Sequence, residues 1–317
     1  MGVDGFFQIK VDDERIMENL GREVKLPELK GEKVCVDASL MIYNSILAME
    51  HLATLTDSEG RTTAHINTIF QKVIQLQKMS IAQIWIFDSP VPNELKRKAL
   101  EKRAERRRIA TEKKYKNHEK IQFRMTKEHV EDIQFLLRKM GICYIVAPAG
   151  IEAEQYGAFM TKGPSAERYC KYMISGDSDV LCFGGNLLRV TTKKTSTGKS
   201  KKTIYQAYEL EEILEELKLT YDQFLQMCVV LGTDFADGTK GTGVRTVVDK
   251  IHKHKLEPLT PRQEMTVEYF QSDITTTAEI TQEEYDPEAI VAFLKERSFN
   301  EDRVRKSLDS YVPKGCD

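Results

Sequence analysis

Short apolar runs, each ending at or just before an acidic residue, constrain the fold of this chain more than any other feature. Four of these runs have the length of a buried β-strand, and they span residues 33–37, 83–88, 143–147 and 172–174. Stretches with apolar residues at helical spacing lie between them, at residues 38–49, 66–79 and 126–140. This alternation predicts an α/β fold with a mainly parallel central sheet flanked by helices.

The rest of the chain divides into two further segments with their own character. Between Lys96 and Lys120 there are twelve Lys or Arg and four Glu, in a chain whose net charge is −2. Such a helical stretch without an apolar face is not a core element. Beyond Glu209 the sequence is almost wholly helical by pattern. We therefore expect a core over residues 1–208, carrying a basic helical arch at about 92–125, and a helical region over 209–317.

Several protein classes are excluded by composition. The six cysteines include no CxxC pair, so neither a zinc site nor a disulfide framework is expected, and free thiols indicate a reducing compartment. The N-terminus lacks a basic region followed by an apolar run, and the longest apolar run, near residues 84–87, is too short to span a bilayer. A soluble, intracellular protein without a membrane partner is predicted.

Acidic residues recur where the predicted strands end. Asp37 and Asp88 close the first two strands, and others follow the third strand, the fourth strand and the apolar helix at residues 224–231. Because ligands of open α/β sheets bind where the strands end, these carboxylates are expected to meet at one edge. The full set is Asp37, Asp88, Glu152, Glu154, Asp177, Asp179 and Asp234.

Seven carboxylates in one place repel one another unless cations neutralise them. Oxygen ligands without His or Cys indicate magnesium or manganese rather than zinc. Two such ions about 3.5–4 Å apart can activate a water and stabilise the leaving oxygen of a phosphodiester. Taken singly, each Asp could instead be a helix cap or turn residue, and Glu152 and Glu154 could be favourable charges at a helix N-terminus. Their joint register with the strand ends favours the metal site.

The chain resembles the flap endonucleases of the structure-specific 5′-nuclease superfamily, from Met1 to about Tyr311. The markers are Val36-Asp37-Ala38-Ser39, Ile86-Phe87-Asp88, Ile151-Glu152-Ala153-Glu154, Gly176-Asp177-Ser178-Asp179, Leu231-Gly232-Thr233-Asp234 and Lys240-Gly241-Thr242-Gly243-Val244-Arg245. The resemblance implies that all seven acids are metal ligands, for two Mg²⁺ ions that Mn²⁺ could replace.

The resemblance also assigns roles to other residues. The basic segment matches the arch that covers the active site, with Lys96 and Arg103 as the catalytic cations that steer the phosphate. Tyr43 matches an aromatic residue that stacks on a base, Lys72 a basic DNA contact, and Gly2 a glycine close to the active site. A helix–two-turn–helix element is implied at about 224–254, where Lys240, Gly241, Gly243 and Arg245 contact duplex DNA and K⁺ can bind.

The implied function is a magnesium-dependent flap endonuclease with 5′–3′ exonuclease activity, acting on branched or flapped DNA in replication, repair or recombination. We expect a monomer in the nucleus or at another site of DNA replication, and no clamp-binding tail precedes Asp317. Two alternatives stay open: a processive 5′ exonuclease or a nuclease acting on RNA, built on the same fold, and a non-catalytic module that binds branched DNA. A phosphatase would not explain the basic arch or the Gly-Thr-Gly element.

Overall fold

A seven-stranded sheet runs through the chain in the computed structural model, which describes residues 2–3, 6–8, 20–48, 55–113, 123–164, 166–194 and 201–313. The strands are β1 (Arg22–Val24), β2 (Lys33–Asp37), β3 (Ala82–Phe87), β4 (Cys143–Val146), β5 (Tyr172–Ser175), β6 (Leu187–Lys194) and β7 (Lys201–Tyr208). Their spatial order is β1-β7-β6-β5-β2-β3-β4. Strands β2 to β6 pair in parallel, whereas β7 is antiparallel to both β6 and β1. The predicted mainly parallel sheet is confirmed.

Helices cover both faces of this sheet. On one face lie α1 (Ala38–Leu47), α2 (Ala64–Lys78), α4 (Lys127–Lys139), α11 (Pro287–Glu296) and α12 (Glu301–Leu308). On the other lie α5 (Ala153–Thr161), α6 (Asp179–Cys182), α7 (Leu210–Leu217), α8 (Tyr221–Leu231), α9 (Val244–His252) and α10 (Pro261–Gln271). The part of the chain beyond Glu209 therefore contributes helices to both faces.

Alternation along the strands assigns each buried side chain to one of two cores. In β3, Ile84 and Ile86 face the α5 side, while Trp85 and Phe87 face the α2 side. All four side chains are at most 2% exposed. Because both faces of the sheet are covered, its central strands are apolar on both sides, which leaves the strand ends as the place for polar side chains.

The basic segment forms helix α3 (Arg97–Lys113), preceded by a 3-10 turn at Glu94–Lys96. No side chain described in α3 is fully buried, as expected for a helix that is charged all round. The arch was expected to continue to about residue 125; residues 114–122 lie outside the described residues. Helix α3 thus occupies the N-terminal part of the segment predicted to form the arch.

The cysteines partly depart from the expectation of free thiols. Cys35, Cys170, Cys182 and Cys228 are buried free thiols, but Cys143 is disulfide-bonded. The missing CxxC pattern could not exclude this, because it says nothing about cysteines that are distant in sequence. Separately, among the helices that the structure describes, none has the length and apolar character needed to cross a bilayer.

Candidate active site

The topology brings the sequence-predicted acids to one edge of the sheet. Asp37 is the last residue of β2, and Asp88 directly follows β3. Glu152 is the N-cap of α5, which follows β4, and Glu154 lies in the first turn of that helix. Asp177 follows β5, and Asp179 begins α6. Because β5, β2, β3 and β4 are parallel neighbours, their carboxyl ends open on the same side.

Several of these acids also organise the local backbone. The Asp37 carboxylate accepts hydrogen bonds from the Leu40 amide and from Ser175 Oγ, each at 2.8 Å, which joins the ends of β2 and β5. Asp88 Oδ1 accepts from the amide of Ala153 at 3.0 Å and so fixes the start of α5 against the end of β3. The capping role considered for single acids is thus present for Asp37, whose side chain caps α1.

Three buried oxygens of the cluster have no hydrogen-bond partner among the described residues. They are Oδ2 of Asp177 and both carboxylate oxygens of Asp179. Asp177 is 1% exposed and Asp179 is 2% exposed. A buried carboxylate without donors is destabilising unless a cation or water satisfies it. These oxygens indicate a place for a ligand at the edge of β5.

The pKa values at this edge report crowding of like charges in a dry environment. Burial, followed by the charge of Asp88, raises the pKa of Asp37 to about 8. Burial also raises the pKa of Glu152 to about 6, although the neighbouring Lys96 opposes the shift. The pKa values of Glu154 and Asp179 are raised well above the ordinary range by burial and then by Asp37 and Asp177, respectively. A cation in the cluster would relieve this repulsion.

Two basic side chains from the 3-10 turn and from helix α3 enter the acidic cluster. Nζ of Lys96 lies 2.6 Å from Glu152 Oε2 and 3.9 Å from Asp234 Oδ2, and Arg103 donates to Asp234. Burial would lower the pKa of Lys96, but Glu154 and Glu152 outweigh it and hold that pKa above its ordinary value. Both predicted catalytic cations therefore lie beside predicted metal ligands.

The donor set fits a hard divalent cation, since the candidate ligands are all carboxylates and three of their buried oxygens have no described donor. As the side chains stand, the described part of the chain contains no group of three His, Cys, Asp or Glu residues arranged to hold one metal ion. Glu152 and Asp234 are paired with Lys96 and Arg103 instead. The assignment of the seven acids as metal ligands stays a prediction.

Gly2 packs directly against this cluster. A Cβ at this position would lie 2.3 Å from Asp177 Oδ1 and 2.3 Å from Ser178 Oγ. The φ of Gly2 is +84°, a conformation that side chains other than glycine rarely adopt. The next amide, of Val3, donates to Ser178 Oγ at 2.9 Å. Gly2 is thus close to the acids, as the resemblance implied.

Tyr43 and Lys72 lie on the helices of the opposite face. The ring of Tyr43, on α1, is 5.8 Å from the ring of Phe123, the first residue that is described after helix α3. The ammonium of Lys72, on α2, donates to the Tyr205 hydroxyl at 2.7 Å and to Gln75 at 3.0 Å. Burial lowers the pKa of Lys72 to about 8. Lys72 is thus engaged with the protein, and its DNA role stays a prediction.

The Gly-Thr-Gly element lies in the loop between α8 and α9. Gly241 has a φ of +74°, and Gly243 is the N-cap of α9. A Cβ at either glycine would meet no atom within 4 Å, so this backbone can be approached closely from outside. Lys240 and Arg245 are exposed on either side of it. A helix N-terminus flanked by cations suits a phosphate contact.

Three serines near the acids escaped the sequence-based assignment. Ser175 donates to Asp37, Ser39 Oγ accepts from the Asp88 amide at 3.0 Å, and Ser178 Oγ accepts from the chain near Gly2. They hold the acids and the N-terminus in place. Their position one or two residues from an acid was the available signal, since short hydroxyl side chains stabilise turns at strand ends.

Comparison with known proteins gives two matches to conserved regions. Residues 1–110 match the XPG N-terminal domain, and residues 141–234 match the XPG I-region. Flap endonuclease 1 of Aedes aegypti is 30% identical, over 96% of this chain and 85% of the relative. Flap endonuclease 1 of Pyrococcus furiosus is 32% identical, over 91% of each chain.

Solved structures share the fold. The catalytic core of Rad2 in complex with DNA substrate aligns with a TM-score of 0.70 at 22% identity, over 98% of this chain and 100% of that one. The Holliday junction-resolving enzyme GEN1, in complex with product DNA and a Mg²⁺ ion, aligns with a TM-score of 0.50 at 16% identity, over 96% of this chain and 69% of that one.

Proposed function

The chain belongs to the XPG and flap endonuclease family of nucleases that act on DNA, and we propose that it is a structure-specific 5′-nuclease. It would hydrolyse a phosphodiester near the junction of a 5′ flap and act as a 5′–3′ exonuclease on suitable ends. The observation that carries this proposal is the meeting of the sheet-edge acids with Lys96 and Arg103 at the base of the arch.

Mg²⁺ is the cofactor that suits these ligands. The residues that would hold it are Asp37, Asp88, Glu152, Glu154, Asp177, Asp179 and Asp234. When bound, the ions supply Lewis-acid polarisation of the scissile phosphate and a more acidic water nucleophile. The bound Mg²⁺ of the GEN1 structure supports this choice. Mn²⁺, another oxygen-seeking cation, could substitute.

The basic side chains would bind and orient the phosphate. Lys96 is 12% exposed at its side chain, and Arg103 is 38% exposed, so the two form an inner and an outer position beside Asp234. A phosphate bound at this edge can replace the carboxylates as the hydrogen-bond acceptor of Lys96 and Arg103. Because the pKa of Lys96 is raised, its ammonium stays charged and can offset negative charge that develops on the phosphate.

Other contacts would set the position of the cut. Tyr43 would stack on a base near the scissile phosphate, and the N-terminus at Gly2 would pack beside the acids. The Gly241–Gly243 loop would bind the duplex, with Lys240, Arg245 and a K⁺ ion adding positive charge, and Lys72 would contact the DNA after leaving Tyr205. Branched DNA is the expected partner, and the Rad2 complex with DNA substrate supports it.

Relatives of the same fold define the alternatives within the enzyme class. GEN1 is a Holliday junction-resolving enzyme that was solved with product DNA, and Rad2 was solved with a DNA substrate. A processive exonuclease would cut the same strand from a free end. A non-catalytic DNA-binding module would bind without cutting, and the intact set of seven acids argues against it.

A substrate panel tests the proposal. Wild-type protein is incubated with Mg²⁺ and four 5′-labelled DNAs: a double flap, a bubble, a Holliday junction and a blunt duplex. We expect the double flap to be cut fastest, within one or two nucleotides of the junction, leaving a 5′-phosphate. Stepwise mononucleotide release would favour the exonuclease, symmetric junction cleavage a resolvase, and no cleavage of any DNA would refute the proposal.

A further inference from the structure

One side chain joins the two segments that carry Lys96 and Asp234. Arg262 lies in the first turn of α10. Its Nε donates to the carbonyl oxygen of Phe235 at 2.8 Å, and its Nη2 donates to the carbonyl oxygen of Leu95. Leu95 directly precedes Lys96, and Phe235 directly follows Asp234. A single guanidinium therefore spans the base of the arch and the loop after α8.

The segments joined by Arg262 also touch each other through their side chains. Lys96 Nζ lies 5.2 Å from the centre of the Phe235 ring and 3.9 Å from Asp234 Oδ2. The distance between the Lys96 ammonium and the Asp234 carboxylate therefore depends on how the two backbones are held. Arg262 holds both backbones from the side of α10.

Helix α10 supports the same region at further points. Gln263 Nε2 donates to the carbonyl oxygens of Val229 at 3.2 Å and Asp237 at 3.4 Å, on either side of Asp234. At the other end of the helix, the Tyr269 hydroxyl donates to Gln155 Oε1 at 2.8 Å. Gln155 is the neighbour of Glu154. The helix thus lies behind three segments that carry site residues.

We propose that Arg262 is a positioning residue, which sets the spacing between Lys96 and Asp234 by clamping the Leu95 and Phe235 carbonyls. The chemistry of arginine suits this task, because its planar fork offers several fixed donors, whereas a lysine ammonium is a single point charge on a flexible stem. The described hydrogen bonds of Arg262 in this clamp go to two backbone carbonyls and not to the side chain of a candidate metal ligand. Its effect is therefore expected on the rate of the chemical step rather than on flap binding.

This inference rests on the proposed function, and its test uses the full-length protein. Arg262→Lys and Arg262→Ala are compared with wild type for single-turnover cleavage of the double flap, flap dissociation constant and melting temperature. We expect cleavage to slow by about 10- to 100-fold, as small displacements of reacting groups do. The flap dissociation constant should stay within about twofold of the wild-type value. The cleavage rate of Arg262→Lys should be reduced as well, because a lysine cannot hold both carbonyls. Added methylguanidinium should restore part of the rate of Arg262→Ala.

Arg305→Gln is the matched control, because Arg305 bonds to Glu288 and Glu301 on the last two helices. This variant should cleave the double flap at the wild-type rate. Wild-type rates for both Arg262 variants would overturn the proposal. So would a rate loss that only follows loss of folded protein and is not rescued by methylguanidinium. If wild type cleaves no DNA, the proposed function fails, and amide hydrogen exchange at residues 94–96 and 233–236 then tests the clamp directly. Exchange there should be faster in Arg262→Ala than in wild type. Unchanged exchange would contradict the clamp.

Discussion

At the scale of single residues, a single methyl group added at Gly2 is expected to reduce the cleavage rate. An added methyl group would overlap Asp177 Oδ1 and Ser178 Oγ, both 2.3 Å away. We predict that Gly2→Ala slows single-turnover flap cleavage by at least about tenfold, because it displaces a candidate metal ligand. Single-turnover kinetics at saturating Mg²⁺ measures this effect.

Gly31→Ala separates crowding at the site from backbone strain. Gly31 has a φ of +85°, almost the same as that of Gly2, but a Cβ there would meet no atom within 4 Å. Its substitution should cost about 1 kcal/mol of stability through strain alone, with the cleavage rate unchanged. Equal loss of activity in both variants would show that backbone strain, and not the contact with Asp177, explains the Gly2 effect.

Asp179 is a buried carboxylate that lacks stabilising hydrogen bonds from the described residues in the metal-free protein. Burial and the charge of Asp177 raise its pKa, and neither of its oxygens has a described hydrogen-bond partner. We predict that Asp179→Asn raises the unfolding free energy of the metal-free protein by about 1–3 kcal/mol, because it removes a buried carboxylate whose oxygens have no described donor. Thermal unfolding in EDTA measures this, and a lower melting temperature of the variant would contradict it.

At the scale of elements, helix α4 carries a histidine whose titration can be followed separately from the active site. The His129 ring is 4.9 Å from the buried ring of His65, whose Nε2 lies 3.7 Å from Asp132 Oδ2. Arg297, from α11, also bonds to Asp132. Burial and then the neighbouring His65 lower the pKa of His129 to about 4, while Asp132 opposes the shift. His129 therefore stays neutral in the folded protein at pH values where an unfolded histidine is protonated.

Because the unfolded state binds the proton more tightly, this histidine lowers stability as the pH falls from about 7 towards 4. We predict that His129→Gln loses less stability than wild type between pH 7.5 and pH 5, by about 1 kcal/mol after allowance for solvent screening. Gln at this position can still accept from the Thr126 amide, as the ring of His129 does, and so keeps the capping box. Urea unfolding at the two pH values measures the difference.

The exposed His254, at a φ of +53°, offers a control on the same scale, since His254→Asn removes an exposed imidazole and Asn tolerates this backbone conformation. The stability that this variant loses between pH 7.5 and pH 5 gives the reference for removing a histidine elsewhere in the chain. If His129→Gln and wild type lose the same stability, the assigned role of His129 is wrong.

Local sequence pattern predicted most of the elements near the site. Strand β2 has its predicted bounds, and α4 lies within the helical stretch predicted at residues 126–140. The pairing of β7 with β1 was not predicted, since residues 22–24 and 205–207 lie far apart in the chain and short strands carry little periodicity. The contact of Lys72 with Tyr205 was missed for the same reason, because it joins residues 133 positions apart.

At the scale of the whole molecule, the helical region closes the fold as well as covering the site. Thr281, in the segment between α10 and α11, exchanges two backbone hydrogen bonds with Tyr144 of the edge strand β4, at 2.9 and 2.8 Å. Glu283 of the same segment pairs with Arg138 and Lys139 of α4. The segment thereby covers an otherwise open sheet edge. Its sequence has no strand or helix pattern, so this role could not be predicted.

In the candidate site too, the sequence pattern predicted where residues lie but not which side chains they contact. The order of acids at strand ends predicted that Asp37, Asp88 and Asp177 would share one sheet edge, and the parallel order of β5, β2, β3 and β4 agrees with that. The pairing of Lys96 with Glu152 could not be predicted, because it depends on how the base of the arch is held over α5. The Arg262 clamp likewise joins residues that only the folded chain brings together.

The most direct test of the central claim is Mg²⁺-dependent cleavage of a 5′-labelled double flap by wild type and by Asp179→Asn, measured with flap binding under the same conditions. Wild type should cut within one or two nucleotides of the junction, and EDTA should abolish cleavage. Asp179→Asn should bind the flap within about threefold of wild type and cleave at least about 1,000-fold more slowly, because it would remove a proposed ligand of the Mg²⁺ ions. Cleavage by Asp179→Asn at the wild-type rate would contradict the account.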